Sequence, residues 1–333
     1  MCVVITGASG NVGTSLGRAL TADADVTEIV GLARRRPLRE LPGAEWRATD
    51  IEHDDLVPLF RGADCVVHLA WAIQPSHDLA ALRRTNVEGS ERVFRAVADA
   101  GVPRLVYASS VGAYSPGPKD RAVDESWPTE GTPTSFYARH KAEVERLLDR
   151  FEVELPGTRV VRLRPGLIFK RSSGEEQRRY FLGPLVPRGL AQRGATAVVP
   201  DIEGLRFQAV HTRDVAEAYR LAVVGDARGP FNVASEPVLD ARTLARSLGA
   251  RVLPLPRAVA RTAMSASWQL RLQPTPPGWL DMGLGVPIMD TTRARGELGW
   301  EPAHSSLQAI REVLSGMTDA EGEPTPPLET ARR

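Results

Sequence analysis

Tyr137 and Lys141 are the residues whose types and spacing point most clearly to chemistry. A separation of four positions on a helix places them one turn apart on the same face. An ammonium group near a phenol favours the phenolate, so such a tyrosine can exchange a proton with a substrate near neutral pH. The chain has only three lysines among 42 basic residues, which makes a lysine here informative. The spacing predicts an acid–base pair; an exposed structural pair is the alternative.

A third polar side chain is expected close to this pair. Ser110 follows an apolar run, Leu105–Ala108, that predicts a strand. A hydroxyl at the carboxyl end of a strand can hydrogen-bond a reacting oxygen and work with the tyrosine; alternatively, it caps a turn. We predict a catalytic set of Ser110, Tyr137 and Lys141.

The first half of the chain alternates strand-like and helix-like segments, which predicts βαβ units in a parallel sheet covered on both faces. Ligands bind such doubly wound α/β sheets at the carboxyl ends of the strands. Strands are predicted at Cys2–Ile5, Glu28–Leu32, Cys65–Ala70, Leu105–Ala108 and Arg159–Leu163, and helices at Asn11–Leu20, Asp54–Phe60, Val87–Ala98 and Phe136–Phe151.

A glycine-rich stretch joins the first predicted strand to the first predicted helix. Glycines let backbone N–H groups approach a pyrophosphate, and the helix N-terminus adds its positive end. A glycine turn without a ligand is the alternative, but the position between strand and helix favours a dinucleotide. The predicted contacts are Gly7, Ser9, Gly10, Asn11, Val12 and Gly13.

The end of the second predicted strand bears on the choice of dinucleotide. An NAD site usually carries Asp or Glu there for the ribose hydroxyls, whereas arginine suits the 2′-phosphate of NADP. Here Ala33 is followed by Arg34, Arg35 and Arg36. We predict NADP as the cofactor, with NAD possible and a solvated basic turn as the alternative.

Composition excludes several classes of protein. The formal net charge is +1 and hydrophobic residues make up 42% of the chain, so neither nucleic acid nor a membrane is expected as a partner. The apolar start is too short for a signal peptide, and Cys2 and Cys65 lie in apolar runs typical of buried free thiols. A cytoplasmic protein acting on a small-molecule substrate is expected.

Together, these motifs resemble the extended short-chain dehydrogenase/reductase family, also called the NAD-dependent epimerase/dehydratase family. The resemblance runs from Met1 to about Val313. It is carried by Thr6–Gly13, Val67–Ala70, Ala108–Ser110, Tyr137–Lys141, Arg162–Gly166, Val210–Ala216 and Glu297–Trp300.

The resemblance implies a Rossmann domain of about seven parallel strands and a smaller C-terminal substrate-binding lobe. It implies Tyr137 as acid/base, Lys141 on the ribose and lowering the tyrosine pKa, and Ser110 polarising the substrate oxygen. The further nucleotide contacts that it implies are Asp50, Ile51, Leu69, Ala70, Trp71, Asn86, Ala108, Pro165, Leu167 and Ile168.

The sequence departs from the sugar-nucleotide epimerases of this family at two points. Pro165–Phe169 lacks the asparagine that those enzymes place there for the diphosphate, and Phe207 stands where they place an arginine. We therefore favour an oxidoreductase acting on a small, fairly apolar carbonyl or alcohol. A sugar-nucleotide epimerase/dehydratase and a non-enzymatic dinucleotide sensor are the alternatives. The candidate substrate residues are Trp71, Val111, Tyr114 and Phe169, with Trp268 as a further aromatic candidate.

The expected domain organisation has a Rossmann domain over 1–168 with a return segment at about 205–233. The substrate-binding lobe covers 169–204 and 234–317, and a disordered tail covers 318–333. The helices at 87–98 and 136–151 are expected to form a four-helix homodimer interface, although the apolar stripe of the second helix may instead face the sheet. No metal is expected, because His68 and His211 are interpreted as structural hydrogen-bonding residues.

Overall fold

The computed structural model of the protein describes residues 1–37, 43–73, 77–182 and 198–329. Its strands are β1 Cys2–Thr6, β2 Glu28–Ala33, β3 Ala44–Ala48, β4 Cys65–His68, β5 Arg104–Ala108, β6 Ala122–Val123, β7 Arg159–Pro165, β8 Leu167–Phe169, β9 Val198–Ile202, β10 Ala209–His211, β11 Gly229–Val233, β12 Arg251–Leu255 and β13 Ile288–Met289. Its α-helices are α1 Asn11–Thr21, α2 Val57–Phe60, α3 Leu79–Arg83, α4 Gly89–Asp99, α5 Phe136–Glu154, α6 Gly174–Gln177, α7 Thr212–Val224, α8 Ala241–Leu248, α9 Arg257–Gln269, α10 Gly278–Gly285, α11 Thr292–Glu297 and α12 Ser306–Asp319.

Seven strands form one parallel sheet in the order β11-β7-β5-β4-β1-β2-β3. The strand order reverses between β1 and β4, which is where doubly wound sheets bind their ligands. Apolar residues of α1 and α7 pack in the core on one face of the sheet, and those of α4 and α5 pack on the other. The predicted Rossmann sheet is confirmed.

Several element boundaries differ from the prediction. Edge strand β3 was not predicted, because only one of its five side chains is buried. The strand expected to reach Ala70 ends at His68, and the segment before α4 is a π-helical turn, Arg84–Glu88. In the return segment, β10 pairs with β8 outside the main sheet, and β11 is the strand that joins the sheet beside β7.

The remaining strands form two-stranded parallel sheets, β8–β10, β9–β12 and β6–β13. Of the expected substrate-binding lobe, residues 183–197 lie outside the described residues. Among the helices that are described, none has both the length and the apolar character needed to cross a membrane.

Of the expected disordered tail, residues 318–329 are described by the structure, and residues 330–333 lie outside the described residues. After α12, residues 320–329 continue in defined turns. Leu328 is fully buried, and the Glu323 carboxylate lies 2.7 Å from the Lys170 ammonium. A segment rich in proline and glutamate suggested disorder because it offers little apolar surface. Here the buried Leu328 side chain and the ion pairs of Glu323 with Lys170 and Arg18 supply contacts to the rest of the fold.

The apolar stripe of α5 faces the sheet, which is the alternative that the sequence left open. Val144 and Leu148 are fully buried, and Phe151 packs in the same core cluster. The stripe therefore lends no support to the four-helix homodimer, which stays a prediction.

Candidate active site

The glycine loop is a close-packed turn at the carboxyl end of β1. Gly7 has φ +73°, and a Cβ placed there would lie 2.6 Å from the backbone nitrogen of Ala70. A Cβ on Gly13 would lie 2.5 Å from the carbonyl oxygen of Ala8. Side chains are thus excluded at both positions, and the loop stays pressed against α1 and the end of β4.

The residues around this loop fit a dinucleotide. Gly10 begins α1 without a side-chain cap, so the N–H groups of the first turn remain available to a phosphate. The predicted contact Asn11 already accepts a hydrogen bond from the Thr212 hydroxyl at 3.2 Å. Arg34 and Arg35 follow β2 at the same sheet edge with exposed side chains.

Ser110 and Tyr137 meet at the carboxyl end of β5. Ser135 begins α5 by accepting a hydrogen bond from the Ala138 N–H, which places Tyr137 in the first turn. Burial raises the pKa of Tyr137 to about 12, while a hydrogen bond with the Ser110 side chain acts in the opposite direction. The Ser110 oxygen also accepts from the Gly112 N–H at 3.0 Å. The phenol is therefore held protonated beside a fixed hydroxyl.

Lys141 lies one turn further along α5 and is 3% exposed. Its ammonium donates to the carbonyl oxygen of Ala108 at 2.5 Å and lies 3.4 Å from the centre of the Trp71 ring. Burial lowers the pKa of Lys141 well below its usual value, opposed by Glu145. Its nitrogen is 5.9 Å from the centre of the Tyr137 ring. The expected lowering of the tyrosine pKa is not seen in this arrangement, because the ammonium is directed at Ala108 and Trp71.

A buried ionic network that the sequence analysis missed lies beneath the catalytic set. Glu145 is fully buried and accepts from the Ser109 hydroxyl at 2.5 Å. It also bonds two nitrogens of Arg164 at 2.9 Å each and one of Arg162 at 2.9 Å. Burial alone raises the pKa of Glu145, but Arg164, Arg162 and the Ser109 hydrogen bond outweigh it and lower the pKa to about 2. The network ties α5 to β7 and to the residue before Ser110.

Two indoles flank the phenol of Tyr137. The Trp71 ring is 5.9 Å from the Tyr137 ring in an edge-on arrangement, and the Trp279 ring is 5.0 Å away at a tilt of 34°. Trp71 was predicted as a site residue, whereas Trp279 on α10 was missed. Trp279 follows a proline-rich stretch with no spacing that relates it to the catalytic set.

The structure places most of the other predicted nucleotide contacts at the carboxyl edge of the sheet. Ile51 is buried beside Gly89. Asn86 differs, because it is fully buried. Its side-chain oxygen accepts from the Ala72 N–H at 2.7 Å, and its side-chain nitrogen donates to the Ala72 carbonyl oxygen at 3.0 Å. Asn86 therefore holds the loop after β4 in place and does not reach into the site. The remaining predicted contacts at this edge are Asp50, Leu69, Ala70, Ala108, Pro165, Leu167 and Ile168.

Tyr114 was predicted as a substrate residue, and the structure corrects this. Its side chain is fully buried, with its hydroxyl 2.7 Å from Asn232 Oδ1 and 3.0 Å from Arg164. Val111 is also buried, Phe169 is half-buried, and Trp268 stacks on His77 with ring centres 4.6 Å apart. A tyrosine whose oxygen is already bonded on both sides has no surface to offer a substrate.

His68 and His211 both make hydrogen bonds within the fold. His68 bonds the hydroxyls of Thr6 and Ser90 at 2.7 and 2.9 Å. His211 accepts from the Arg213 N–H at 3.2 Å and bonds Glu312 at 3.0 Å.

Comparison with known proteins identifies a family model, relatives and solved structures to which the chain is similar. The profile of the NAD dependent epimerase/dehydratase family matches residues 3–234. An uncharacterised protein of Mycobacterium tuberculosis is 28% identical over 317 residues, which cover 94% of this chain but 29% of that protein. The chain therefore spans less than a third of that relative.

Two shorter matches have named activities. A 4-hydroxy-2-methyl-3-oxo-4-farnesyl-3,4-dihydroquinoline-1-oxide ketoreductase of Stigmatella aurantiaca is 30% identical over 171 residues, or 51% of each chain. An L-arabinose 1-dehydrogenase (NAD(P)(+)) of Haloferax volcanii is 36% identical over 109 residues, or 32% of this chain and 40% of that protein.

Among solved structures, the UDP-glucose 4-epimerase of Thermus thermophilus in complex with NAD superposes with a TM-score of 0.71. The alignment covers 96% of this chain and all of that chain at 22% identity. At that identity, the likeness establishes the fold.

Proposed function

The chain belongs to the NAD-dependent epimerase/dehydratase family, and from that premise we propose that it is an NADP-preferring oxidoreductase. Its substrate is a small, fairly apolar carbonyl compound or the corresponding alcohol. The observation that carries the proposal is that Ser110 and Tyr137 converge on Gly112: the Ser110 oxygen accepts from the Gly112 N–H at 3.0 Å, and a Cβ on Gly112 would lie 2.9 Å from a ring carbon of Tyr137. Lys141 lies one helical turn away, and all three stand at the sheet edge that carries the glycine loop.

The chemistry of the chain's own residues is proton transfer to a substrate oxygen. When bound, the dinucleotide NAD(P)H would supply the hydride for the carbonyl carbon. Ser110 donates a hydrogen bond to the carbonyl oxygen, and Tyr137 donates the proton that completes the alcohol. The raised pKa of Tyr137 keeps the phenol protonated before the reaction. Solvent then returns a proton to the phenolate, and Lys141 holds the ribose through its ammonium donors.

The preference for NADP rests on the residues after β2. Ala33 is nearly buried and carries no carboxylate to accept from a ribose hydroxyl. Arg34 and Arg35 are exposed at the same edge. Guanidinium groups recognise phosphate with paired N–H donors, so these two side chains suit a 2′-phosphate.

The apolar character of the substrate rests on the walls around Tyr137. Trp71 and Trp279 lie against its ring. Lys119 and Arg206 are cations of the kind that a diphosphate would need, but they donate to backbone carbonyls: Lys119 to Arg206 and Gly283, and Arg206 to Lys119. The ketoreductase relative is named for a farnesyl-bearing substrate, which agrees with this choice.

A sugar-nucleotide epimerase or dehydratase is the second candidate, favoured by the fold shared with the UDP-glucose 4-epimerase. Cofactor behaviour separates the two. An epimerase returns its hydride to the substrate and keeps its cofactor bound, so protein purified without added nucleotide would carry close to one dinucleotide per chain. The proposed oxidoreductase exchanges its cofactor and consumes NADPH in proportion to the ketone supplied. Stoichiometric retained cofactor without net NADPH consumption would contradict the proposal.

A further inference from the structure

The contact surface around the reacting phenol is aromatic on two sides. Trp71 comes from the loop after β4 and Trp279 from α10, so the two indoles belong to separate parts of the chain. Both ring centres lie within 6 Å of the centre of the Tyr137 ring. The two indoles therefore form part of the surroundings of the reacting phenol.

The third wall of this surface is a thioether. A Cβ on Gly112 would lie 2.9 Å from a ring carbon of Tyr137 and 3.0 Å from the sulfur of Met282. The Tyr137 ring and the Met282 thioether therefore both pack against Gly112. Thioether sulfur packs favourably against aromatic rings. The Lys141 ammonium lies 3.4 Å from the centre of the Trp71 ring and donates to the Ala108 carbonyl oxygen, so it covers one face of that indole.

The indole nitrogen of Trp71 adds a polar atom to this surface. The indole N–H of Trp71 is buried and makes no hydrogen bond with any described residue. A buried donor without an acceptor carries a free-energy cost, which a ligand acceptor can remove. The surface thus combines flat apolar faces with the indole N–H donor of Trp71.

We propose that the substrate is a planar aromatic or conjugated ketone, whose ring packs against Trp71 and Trp279 while its oxygen lies at Ser110 and Tyr137. This inference rests on the proposed function and adds the substrate class. Aromatic rings attract one another beyond the effect of buried area. Saturated ketones of equal size lack that attraction.

The test compares two ketones of matched size, acetophenone and cyclohexyl methyl ketone. Their kcat/KM ratio with NADPH is measured for the wild type, Trp279→Leu and Trp279→Phe. Inherent differences in carbonyl reactivity cancel when the ratio is compared between variants. We expect the preference for acetophenone to fall about tenfold in Trp279→Leu and to persist in Trp279→Phe, which keeps an aromatic face. Trp71→Leu provides a second variant should Trp279→Leu fail to fold.

Direct binding to the cofactor-loaded protein, followed by ligand-observed NMR, separates this inference from the proposed function. Turnover of both ketones with the same ratio in all variants would overturn the aromatic site and leave the oxidoreductase standing. Preferential binding of acetophenone without turnover would support the aromatic site and overturn the ketone reduction. Binding of neither ketone would overturn the aromatic site.

Discussion

The ammonium nitrogen of Lys141 lies 3.4 Å from the centre of the Trp71 ring. Cation–π contact of this kind is strongest for indole and gains strength when the cation is shielded from water. It places a compact cation between an aromatic face and the Ala108 carbonyl oxygen, 2.5 Å away. The site is therefore shaped for an ammonium.

The first prediction follows from that shape. Lys141→Arg conserves the charge, but a planar guanidinium does not fit between the Trp71 face and Ala108. We expect turnover and affinity for NADPH to fall together, each by at least about tenfold. Fluorescence titration measures the affinity. Arg139→Lys, an exposed position on the same helix, is the control and should behave as the wild type. Wild-type affinity in Lys141→Arg would show that the ammonium does not hold the ribose.

The second prediction concerns the proton donor. Tyr137→Phe removes one oxygen and keeps the ring between Trp71 and Trp279, so the fold and the cofactor site should survive. General acid–base assistance is worth about 10²–10⁴ in rate, and we expect turnover to fall by at least that factor with little change in NADPH affinity. Near-normal turnover would mean that another group supplies the proton.

The third prediction concerns cofactor choice. NADPH should bind more tightly than NADH by about 1.5–3 kcal/mol, the range for hydrogen bonds to charged groups. The combined variant Arg34→Ser and Arg35→Ser should lose most of that difference. Arg47→Ser, which removes an exposed arginine paired with Glu45, should retain it. Calorimetric titration of both nucleotides into each protein gives the comparison. Equal affinities in the wild type would refute the assigned role of these arginines while leaving the fold untouched.

The fourth prediction is a pH dependence of stability. The pKa of Glu145 falls from its ordinary 4.5 to about 2 in the folded protein. The unfolded chain therefore binds more protons as the pH drops, so this carboxylate stabilises the fold fully above about pH 4.5 and progressively less towards pH 2. Urea unfolding across that window should show the loss.

In Glu145→Gln the buried charge of Arg164 loses its carboxylate partner, whereas Arg162 keeps Asp149 and Glu152. We expect about 3–5 kcal/mol lower stability at pH 7. The variant should also show a shallower pH slope between pH 4.5 and 2 than the wild type. Identical slopes would mean that Glu145 does not carry the effect.

The fifth prediction tests the end of the chain. Glu323→Gln leaves the Lys170 ammonium, 8% exposed, without its 2.7 Å partner. We expect a loss of about 3 kcal/mol in unfolding free energy. Glu321→Gln breaks an exposed pair with Arg171 and should cost no more than about 1 kcal/mol. Equal effects of the two substitutions would mean that the Lys170 pair does not hold residues 320–329.

Sequence patterns were informative where the relevant contacts are local. The strand–helix alternation predicted the parallel sheet, and the four-residue spacing placed Tyr137 and Lys141 on one face of α5. The same spacing, continued by one turn, leads to Glu145, so that residue was within reach of the sequence argument. Strand β3 was missed because an edge strand with a single buried residue has no apolar pattern.

Contacts between distant segments could not be predicted in this way. Trp279 reaches Tyr137 only because α10 packs against the start of α5, where a Cβ on Gly278 would lie 2.2 Å from the carbonyl oxygen of Thr134. Leu328 illustrates the same limit: the composition around it suggests solvent, and only tertiary packing buries it. Tyr114 shows the reverse, because its proximity to Ser110 in the sequence suggested the site while its hydroxyl is committed to the core.

The pairing of Lys170 with Glu323 also sets an order of events during synthesis. Translation at about 5–20 residues per second brings Glu323 out roughly 8–30 s after Lys170. Throughout that interval the lysine, which in the finished fold also bonds the Thr14 hydroxyl on α1 at 2.8 Å, has no carboxylate from residue 323 to neutralise it. The ion pair that joins residues 320–329 to Lys170 can thus form only late in synthesis, long after the glycine loop and α1 have left the ribosome.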